Sequence, residues 1–457
     1  MKLTSLHRLL PIAGIAAGLV AAPLSGPLAA GAAASIDGVW QLDGYGTIVA
    51  IDNGKAGLFS TTSISCTPAG EFQQTGERFT ADREQAFTVR VRRDRAVMHV
   101  EGNVGDKHLR RLAKLPKLCK VPGATGPLAV FDQFWTTYNE NYPFFQAKGI
   151  DWAKVRDTYR PRVTPGISDA ALSGLLSEMV EPLGDAHTAI RTADGETLFA
   201  GVRPGTTLPT PELEGVLRPY IEGTALKGVK FASYANERIG YADLPGRVGY
   251  LRVIAFMGYG DILDYNAERD TLNATLDKIL TKERVKNLRG LIIDLRINGG
   301  GSDQLGLDLA SRLTGKPFFA YAKRARNDPA DPTAFTAPQP LFVQPSERTK
   351  YTGPIAILTG GSQMSAGETF TQAMMNRTPR PIRIGQNTQG VFSDVLVRTL
   401  PNGWQFIVPN EEFRTRDWKT FDGPGIAPDV RTPVFTPAEF AAERDTAFTT
   451  ALKLLVR

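Results

Sequence analysis

The sequence predicts an α/β core that follows a helical segment and an N-terminal small antiparallel β domain. Three patterns support this order. Apolar residues at every second position occupy residues 35–118, apolar residues spaced by three and four occupy residues 128–183, and strand-like and helix-like stretches alternate from residue 249 onward. The third pattern is typical of an α/β fold, in which helices connect the strands of a sheet.

Residues 1–34 have the composition of a secretory signal peptide. A short basic start that ends at Arg8 precedes an apolar stretch rich in alanine and glycine, and Ala-x-Ala sites lie near Ala30 and Ala34. The alternative is a retained membrane anchor, but prolines interrupt the apolar stretch, which is already short for a span. We therefore expect cleavage, export to the bacterial periplasm or the extracellular space, and no stable membrane insertion of the mature chain.

Residues 35–122 are predicted to form the small β domain. Its candidate strands are separated by turn sequences such as Asp-Asn-Gly and Pro-Ala-Gly. Both cysteines of the chain, Cys66 and Cys119, fall in this domain. In an exported protein a pair of cysteines favours one disulfide, and two separate buried thiols are the alternative.

A linker rich in proline and glycine leads into a predicted helical domain over residues 123–190. Asp151 and Ser168 are expected to cap two of its helices. Residues 191–247 are interpreted as a connecting or cap segment, and residues 248–457 as the α/β core. Strand candidates in the core are residues 249–256, 290–297, 354–359 and 382–384.

The net charge is +6 over 457 residues, which is mild. Basic residues cluster near residues 90–95 and 107–120, but such clusters are commonly solvated, and no nucleic-acid-binding motif is found. A nucleic-acid partner is therefore not expected, and the sequence specifies no oligomeric state.

Ser365 lies in the sequence Ser-Gln-Met-Ser-Ala-Gly-Glu, directly after the apolar run of residues 354–360. This pattern predicts a buried strand, a tight turn and a helix. Backbone N–H groups and the positive end of a helix dipole then surround the hydroxyl, which is the setting of a serine nucleophile beside an oxyanion hole. The alternative is that Ser365 only caps the helix.

The second candidate element is the run Asn-Gly-Gly-Gly at residues 298–301, which follows a predicted buried strand. Its N–H groups could bind an oxyanion or a phosphate. It is neither a P-loop nor a dinucleotide-binding fingerprint, because the flanking residues of both motifs are missing. A purely structural turn is the alternative.

Two further segments offer an imidazole and a carboxylate. His187, in Gly-Asp-Ala-His-Thr, is a candidate general base, and the alternative is a loop histidine satisfied by Asp185. Asp422 lies in a turn rich in proline and glycine at residues 421–429, where solvated aspartates are the alternative.

Together these segments resemble the tail-specific or C-terminal-processing serine peptidase family. The closest resemblance is to the branch without a PDZ domain, which includes tricorn-core-like and interphotoreceptor-retinoid-binding-like proteins. The resemblance covers about residues 128–435, in which the motifs stand in the family's order. It implies a crotonase/ClpP-like core, a polypeptide substrate and no metal or cofactor. Residues 191–247 are too few for a PDZ domain, so recognition of hydrophobic C-termini is not implied.

The resemblance also implies roles for individual residues. Ser365 corresponds to the nucleophile, and the N–H groups of Ala366 and of Gly300 or Gly301 correspond to the oxyanion hole. One branch of the family uses a lysine as general base after a Gly-x-x-Thr-x-Gly motif. Val391 occupies that position here, whereas His187 matches the base of the histidine branch.

Asp422 stands where the tricorn-like pattern has a glutamate that orients the histidine. Glu411, Glu412 and Asp185 are rival candidates for this role. The pattern also has a serine before the histidine, where this chain has Ala186.

The sequence therefore predicts an exported serine endopeptidase similar to tail-specific proteases. The alternative, motivated by Val391 and Ala186, is a catalytically inactive peptidase-like protein that binds an apolar ligand or a peptide. In a third interpretation the β domain binds a ligand or the cell envelope, and the core regulates it.

Overall fold

Eight antiparallel strands close into a barrel at the N-terminal side of the computed structural model, which describes residues 35–81 and 86–456. The predicted signal peptide, residues 1–34, lies outside the described residues. The barrel strands are β1 (Gly38–Leu42), β2 (Thr47–Asp52), β3 (Lys55–Thr61), β4 (Cys66–Thr75), β5 (Arg78–Thr80), β6 (Ala86–Arg92), β7 (Arg95–Val100) and β8 (Lys107–Leu112).

The ring closes because β1 pairs with β8 as well as with β2. Apolar residues at alternate positions fill the interior, and the rings of Phe79 and Phe87 stack with their centroids 5.1 Å apart. Cys66, the first residue of β4, forms a disulfide with Cys119 in the short 3₁₀ turn that follows the barrel.

Three helices follow: α1 (Pro127–Asn141), α2 (Trp152–Tyr159) and α3 (Asp169–Val180). As predicted, the side chains of Asp151 and Ser168 cap α2 and α3 by accepting backbone N–H groups. The apolar face of α1 packs on a strand from the end of the chain, since the rings of Phe134 and Phe406 lie 5.0 Å apart. The helical region is thereby joined to residues far along the sequence.

The other elements belong to the region that carries the site. Its strands are β9 (Ala189–Arg191), β10 (Thr197–Ala200), β11 (Phe231–Tyr234), β12 (Ile239–Leu244), β13 (Val248–Val253), β14 (Gly290–Asp294), β15 (Phe318–Ala325), β16 (Gln339–Val343), β17 (Ile355–Thr359), β18 (Ile382–Gly385), β19 (Val395–Thr399), β20 (Gln405–Pro409), β21 (Glu411–Arg414) and β22 (Val430–Arg431). Its helices are α4 (Pro211–Thr224), α5 (Tyr265–Ile279), α6 (Lys282–Asn287), α7 (Asp303–Ser311), α8 (Ala366–Met374), α9 (Pro437–Ala441) and α10 (Thr446–Leu455).

A seven-stranded sheet with the order β11-β12-β13-β14-β17-β18-β22 forms the core. From β13 to β22 neighbouring strands run parallel, as the alternation of strands and helices predicts. Successive residues of β14 face opposite sides. Leu291 and Ile293 pack toward α5, α7 and α8, and Ile292 packs toward α10. The sheet is therefore buried on both faces, which explains its continuous apolar strands.

The core sheet begins earlier in the chain than predicted. The antiparallel strands β11 and β12 extend it within residues 191–247, which the sequence analysis interpreted as a connecting or cap segment. Two smaller sheets accompany it, with the orders β10-β9-β20-β19 and β16-β15-β21. The sheet β10-β9-β20-β19 joins β9, which follows His187 in sequence, to β20 and β19, which follow Ser365.

We expect replacement of both Cys66 and Cys119 by serine to lower the free energy of unfolding by about 4 kcal/mol, because the disulfide closes a loop between residues 53 positions apart. Chemical denaturation of the double variant and of the oxidised wild type measures the difference. Reduced wild type is the matched control and should behave like the variant. Equal denaturation midpoints for all three proteins would contradict the prediction.

Candidate active site

Ser365 lies in the turn between β17 and α8 with φ 53° and ψ −126°. A residue with a side chain rarely adopts this left-handed backbone conformation, which is strained by about 1–3 kcal/mol. The main chain stabilises it: the N–H of Ser365 donates to the carbonyl of Val391 at 3.0 Å, and its own carbonyl accepts from Glu368 and Thr369. The Ser365 side chain does not cap α8. The hydroxyl is therefore placed by backbone geometry and is not engaged by the helix.

The glycine run lies directly against this serine. A Cβ atom on Gly300 would lie 2.6 Å from the Cβ and 3.0 Å from the Oγ of Ser365. A Cβ atom on Gly301 would lie 2.4 Å from the carbonyl oxygen of Phe256. Both glycines also have positive φ angles, 91° and 128°. Only glycine fits at these two positions, because any side chain would collide with the turn of Ser365 or with the backbone of Phe256.

The N–H groups around Ser365 differ in their availability. The N–H of Gly300 donates to Oδ1 of Asn298 at 2.9 Å. Within residues 35–81 and 86–456, the N–H groups of Gly301 and Ala366 have no hydrogen-bond acceptor. The sequence left open whether Gly300 or Gly301 contributes to the oxyanion hole. Of the two, Gly301 has the backbone N–H that is free to donate.

Glu368, three residues after Ser365, holds the loop that supports the serine. Its fully buried carboxylate accepts the N–H groups of Gly390 at 2.7 Å and Val391 at 2.8 Å. The carbonyl of Val391 in turn accepts from Ser365. Burial raises the pKa of Glu368 to about 8. Sequence reasoning assigned no role to Glu368, although Ser-x-x-Glu is the spacing of a capping box.

His187 follows a left-handed turn at Gly184 after α3. Its backbone N–H donates to Oδ1 of Asp185 at 3.0 Å, and Oδ2 of Asp185 accepts the Tyr142 hydroxyl at 2.8 Å. Burial lowers the pKa of His187, and the Asp185 and Asp394 carboxylates oppose this shift only in part. The imidazole is therefore neutral at pH 7, as a general base must be.

His187 and Ser365 border the same short segment, residues 391–393. Val391 contacts Ser365 through its carbonyl, and the backbone of Ser393 interacts with the His187 ring. Three consecutive residues span at most about 7 Å between their outer Cα atoms. In the described part of the chain no hydrogen bond joins the two side chains, and Nδ1 of His187 has no partner. His187 and Ser365 therefore both lie beside residues 391–393, but their side chains form no hydrogen bond with each other.

Asp422 is close to the same segment but does not contact the imidazole by a hydrogen bond. Its Oδ1 accepts the N–H of Phe392 at 3.1 Å, and its Oδ2 accepts the Thr420 hydroxyl at 2.7 Å. Burial raises the pKa of Asp422 to about 7. Its carboxylate therefore supports the loop between Val391 and Ser393.

The rival carboxylates have other partners. Glu412 forms ion pairs with Arg324 and Arg414, and Glu411 lies between Tyr45 and Lys323. Asp185 orders the backbone of His187, as described above. Asp394, which sequence reasoning did not single out, is a carboxylate whose charge acts on His187. Its position directly after Ser393 becomes informative only once the fold is known.

A strap formed by residues 203–207 packs beside the site. The guanidinium of Arg203 donates to the carbonyls of Thr388 at 2.6 Å and Gln389 at 2.8 Å. The hydroxyls of Thr207 and Ser362 lie 2.6 Å apart. The strap thus connects the chain after His187 to both the loop and the turn that position Ser365. No sequence motif indicated it.

Among the described residues, no group of histidine, cysteine, aspartate and glutamate side chains is arranged to hold a metal ion. Within the same residues, no helix combines the length and the apolar composition that a membrane span requires.

Comparison with known proteins gives two matches to family models. The model of peptidase family S41 matches residues 247–432, and the model of the tricorn protease C1 domain matches residues 127–181. Together they cover more than half of the chain. None of the proteins with curated descriptions is similar enough to this sequence to count as a match.

Solved structures share the fold. A candidate peptidase from Parabacteroides merdae aligns with a TM-score of 0.61 at 23% identity, over 73% of this chain and 98% of its own. Mature CPAF aligns with a TM-score of 0.50 at 13% identity, over 72% of this chain and 96% of its own. At these identities the likeness concerns the fold alone.

We expect the variant Glu368→Gln to flatten the pH dependence of stability. Because the pKa of Glu368 is raised to about 8, the folded state binds its proton more tightly than the unfolded state does. This contribution to stability is complete in mild acid and is lost as the pH rises through about 8. Melting temperatures measured between about pH 5 and pH 8 should therefore fall less steeply for the variant than for the wild type.

The exposed substitution Glu71→Gln in the barrel is the matched control and should keep the wild-type slope. If Glu368→Gln and Glu71→Gln gave the same slope, the assignment of a raised pKa to Glu368 would be wrong.

Proposed function

Because this chain belongs to peptidase family S41, we propose that it is an exported endopeptidase of the tail-specific type, with Ser365 as nucleophile and His187 as general base. Serine-dependent hydrolysis of peptide bonds is the activity of the family, so the substrate is a polypeptide. The observation that carries the residue assignment is the strained turn at Ser365, whose hydroxyl faces the glycine run beside two free N–H groups. The proposed chemistry uses no metal or cofactor.

In the proposed mechanism, Oγ of Ser365 attacks the carbonyl carbon of the scissile bond while His187 takes the hydroxyl proton. The imidazolium then gives this proton to the leaving amine, which releases one product and leaves an acyl-enzyme. His187 next deprotonates a water molecule that attacks the ester, and the second product leaves as Ser365 regains its proton. Every step uses the same two side chains.

The N–H groups of Gly301 and Ala366 are the proposed oxyanion hole. Both belong to main chain fixed by neighbouring contacts, so little reorganisation is needed when negative charge develops on the substrate oxygen. A donor of this kind commonly contributes about 3–4 kcal/mol to the transition state. The N–H of Gly300 is occupied by Asn298 and serves instead to shape the loop.

The imidazole and the hydroxyl are proposed to meet when substrate binds. Catalytic hydrogen bonds are often long in free enzymes and shorten in the complex with substrate. Asp185 fixes the backbone of His187, while Asp422 fixes Phe392 within the segment that separates the two groups. Asp422 is thus proposed to orient the base through the main chain, as a positioning residue.

We place the protein in the periplasm or outside the cell, after removal of residues 1–34. Two observations support this location: the composition of those residues and the Cys66–Cys119 disulfide, which is typical of an oxidising compartment. The parallel sheet with helices on both faces is compatible with a crotonase/ClpP-like arrangement of the core, which we also propose.

Ser365→Ala should reduce the hydrolysis of an unstructured polypeptide such as casein by a factor of about 10⁴ or more, because no other hydroxyl has this position. His187→Ala should have an effect of similar size, since the two residues act as a unit. The rates of both variants are compared with that of Ser311→Ala. This control removes a hydroxyl that donates to a carbonyl at the end of α7 and should keep wild-type activity.

A fluorophosphonate probe separates the proposal from the alternative of an inactive binding protein. The wild type should be labelled at Ser365, and Ser365→Ala should not. Correctly folded wild type that neither reacts with the probe nor cleaves the polypeptide would favour the alternative.

The pH profile of kcat/KM should have an acid limb whose midpoint lies below the ordinary pKa of histidine, because burial lowers the pKa of His187 and the base must be neutral. The rate should therefore already be independent of His187 protonation at pH 7. Initial rates measured from about pH 4.5 to pH 8 test this. A midpoint above about 7 would contradict the burial of a neutral imidazole.

A further inference from the structure

We propose that the barrel contains a second binding site, which takes a small carboxylate with an apolar body. A cavity of about 160 Å³ lies at the end of the barrel that faces residues 394–396. None of the residues proposed for catalysis lines it. The cavity borders the peptidase centre, because Asp394, whose charge acts on His187, lies in its wall. Its existence does not depend on the proposed function.

The wall of the cavity combines apolar and polar side chains. Residues from seven of the barrel strands line it, and residues of β19 close it from the other side. The apolar barrel residues that line it are Leu42, Leu58, Phe72, Phe87, Met98 and Val100. Such a surface binds the apolar part of a ligand because it removes hydrocarbon from water.

The volume limits the size of the ligand. A cavity of about 150 Å³ is known to accommodate benzene. The body of the ligand is therefore one aromatic ring or a chain of about six carbons.

Asn410 supplies an unsatisfied polar group. Its side chain lines the cavity and is only 1% exposed, yet neither its nitrogen nor its oxygen has a hydrogen-bond partner in the described part of the chain. The backbone is not the reason, since the N–H of Asn410 donates to Ser393 and its carbonyl accepts from Arg326. Buried amide side chains normally form hydrogen bonds, so we expect the Asn410 side chain to bind a polar group of a ligand in the cavity.

Lys107 supplies the charge. Its Nζ lies 4.2 Å from the centre of the Tyr45 ring and, among the described residues, forms no hydrogen bond with a carboxylate. The nearby acids are engaged elsewhere: Lys323 contacts both Asp394 and Glu411. Asp394 also lies in the cavity wall, but Lys323 balances its charge. A carboxylate ligand can therefore accept from both Lys107 and the amide nitrogen of Asn410.

Two kinds of molecule carry a carboxylate on a small apolar body: a free organic acid, and a peptide whose C-terminal residue has an apolar side chain. The second also offers a backbone N–H, which suits the unpaired oxygen of Asn410. Hexanoate and N-acetyl-phenylalanine represent the two sources. Hexan-1-ol and N-acetyl-phenylalanine amide are their neutral counterparts.

Isothermal titration of the purified protein with these four compounds tests the proposal. At least one acid should bind, and its neutral counterpart should bind at least tenfold more weakly. The acid that binds more tightly identifies the source. If neither acid binds, or if the acids and their neutral counterparts bind equally, the proposal is wrong.

Lys107→Met keeps the length of the side chain and removes its charge, and it should weaken binding of the acid at least tenfold. Lys114→Met, at an exposed lysine outside the cavity, is the matched control and should bind like the wild type. Leu58→Trp fills the cavity and should abolish binding even if Lys107→Met fails to fold. Unchanged affinity in a folded Leu58→Trp variant would overturn the location of the site.

Discussion

The hydrogen bond from the Ser365 N–H to the carbonyl of Val391 is the contact on which the site depends. Left-handed geometry at a serine is unfavourable by itself, so the turn persists only because its neighbours fix it. Glycines make room on one side, and a loop anchored by a buried glutamate supports it on the other. Without that support, the hydroxyl would relax to an ordinary helix cap and lose its approach to a substrate carbonyl.

Buried carboxylates fix the backbone of residues 390–392, although none of these residues is charged. Three consecutive backbone N–H groups, those of residues 390–392, each donate to an acid from another part of the chain: the first two to Glu368 and the third to Asp422. The side chain of Val391 is buried, and its backbone makes the two contacts that matter for the site: the N–H donates to Glu368 and the carbonyl accepts from Ser365. The absence of a lysine there is thus compatible with a functional site, because the position contributes through backbone groups.

Much of the fold and part of the site could be predicted from the sequence, for reasons specific to each element. Four of the five parallel strands were found because burial makes them apolar, whereas the two-residue β22 is too short to show a pattern. The helix starts at Asp151 and Ser168 were found because capping is local. Strands β11 and β12 were missed as part of the core sheet because they join it by antiparallel pairing, outside the alternation of strands and helices from which the sheet was predicted. Sequence reasoning missed Asp394, Asn410 and the strap at residues 203–207. Only the tertiary fold brings these residues to the positions described above.

The buried ion cluster between the barrel and the core has an evolutionary consequence. Tyr45 of the barrel donates to Glu411 at 2.6 Å, and Lys323 of the core donates to the barrel carbonyl of Val104 at 3.2 Å. Glu411 and Lys323 also pair with each other at 3.2 Å, so exchanging this barrel for an unrelated module would remove one hydrogen bond from each member of the pair. A hydrogen bond to a charged group is worth about 1.5–3 kcal/mol. Recombination should therefore transmit the barrel and the hydrolytic part as one inherited unit, and the apolar cluster that the barrel shares with α1 and β20 favours the same outcome.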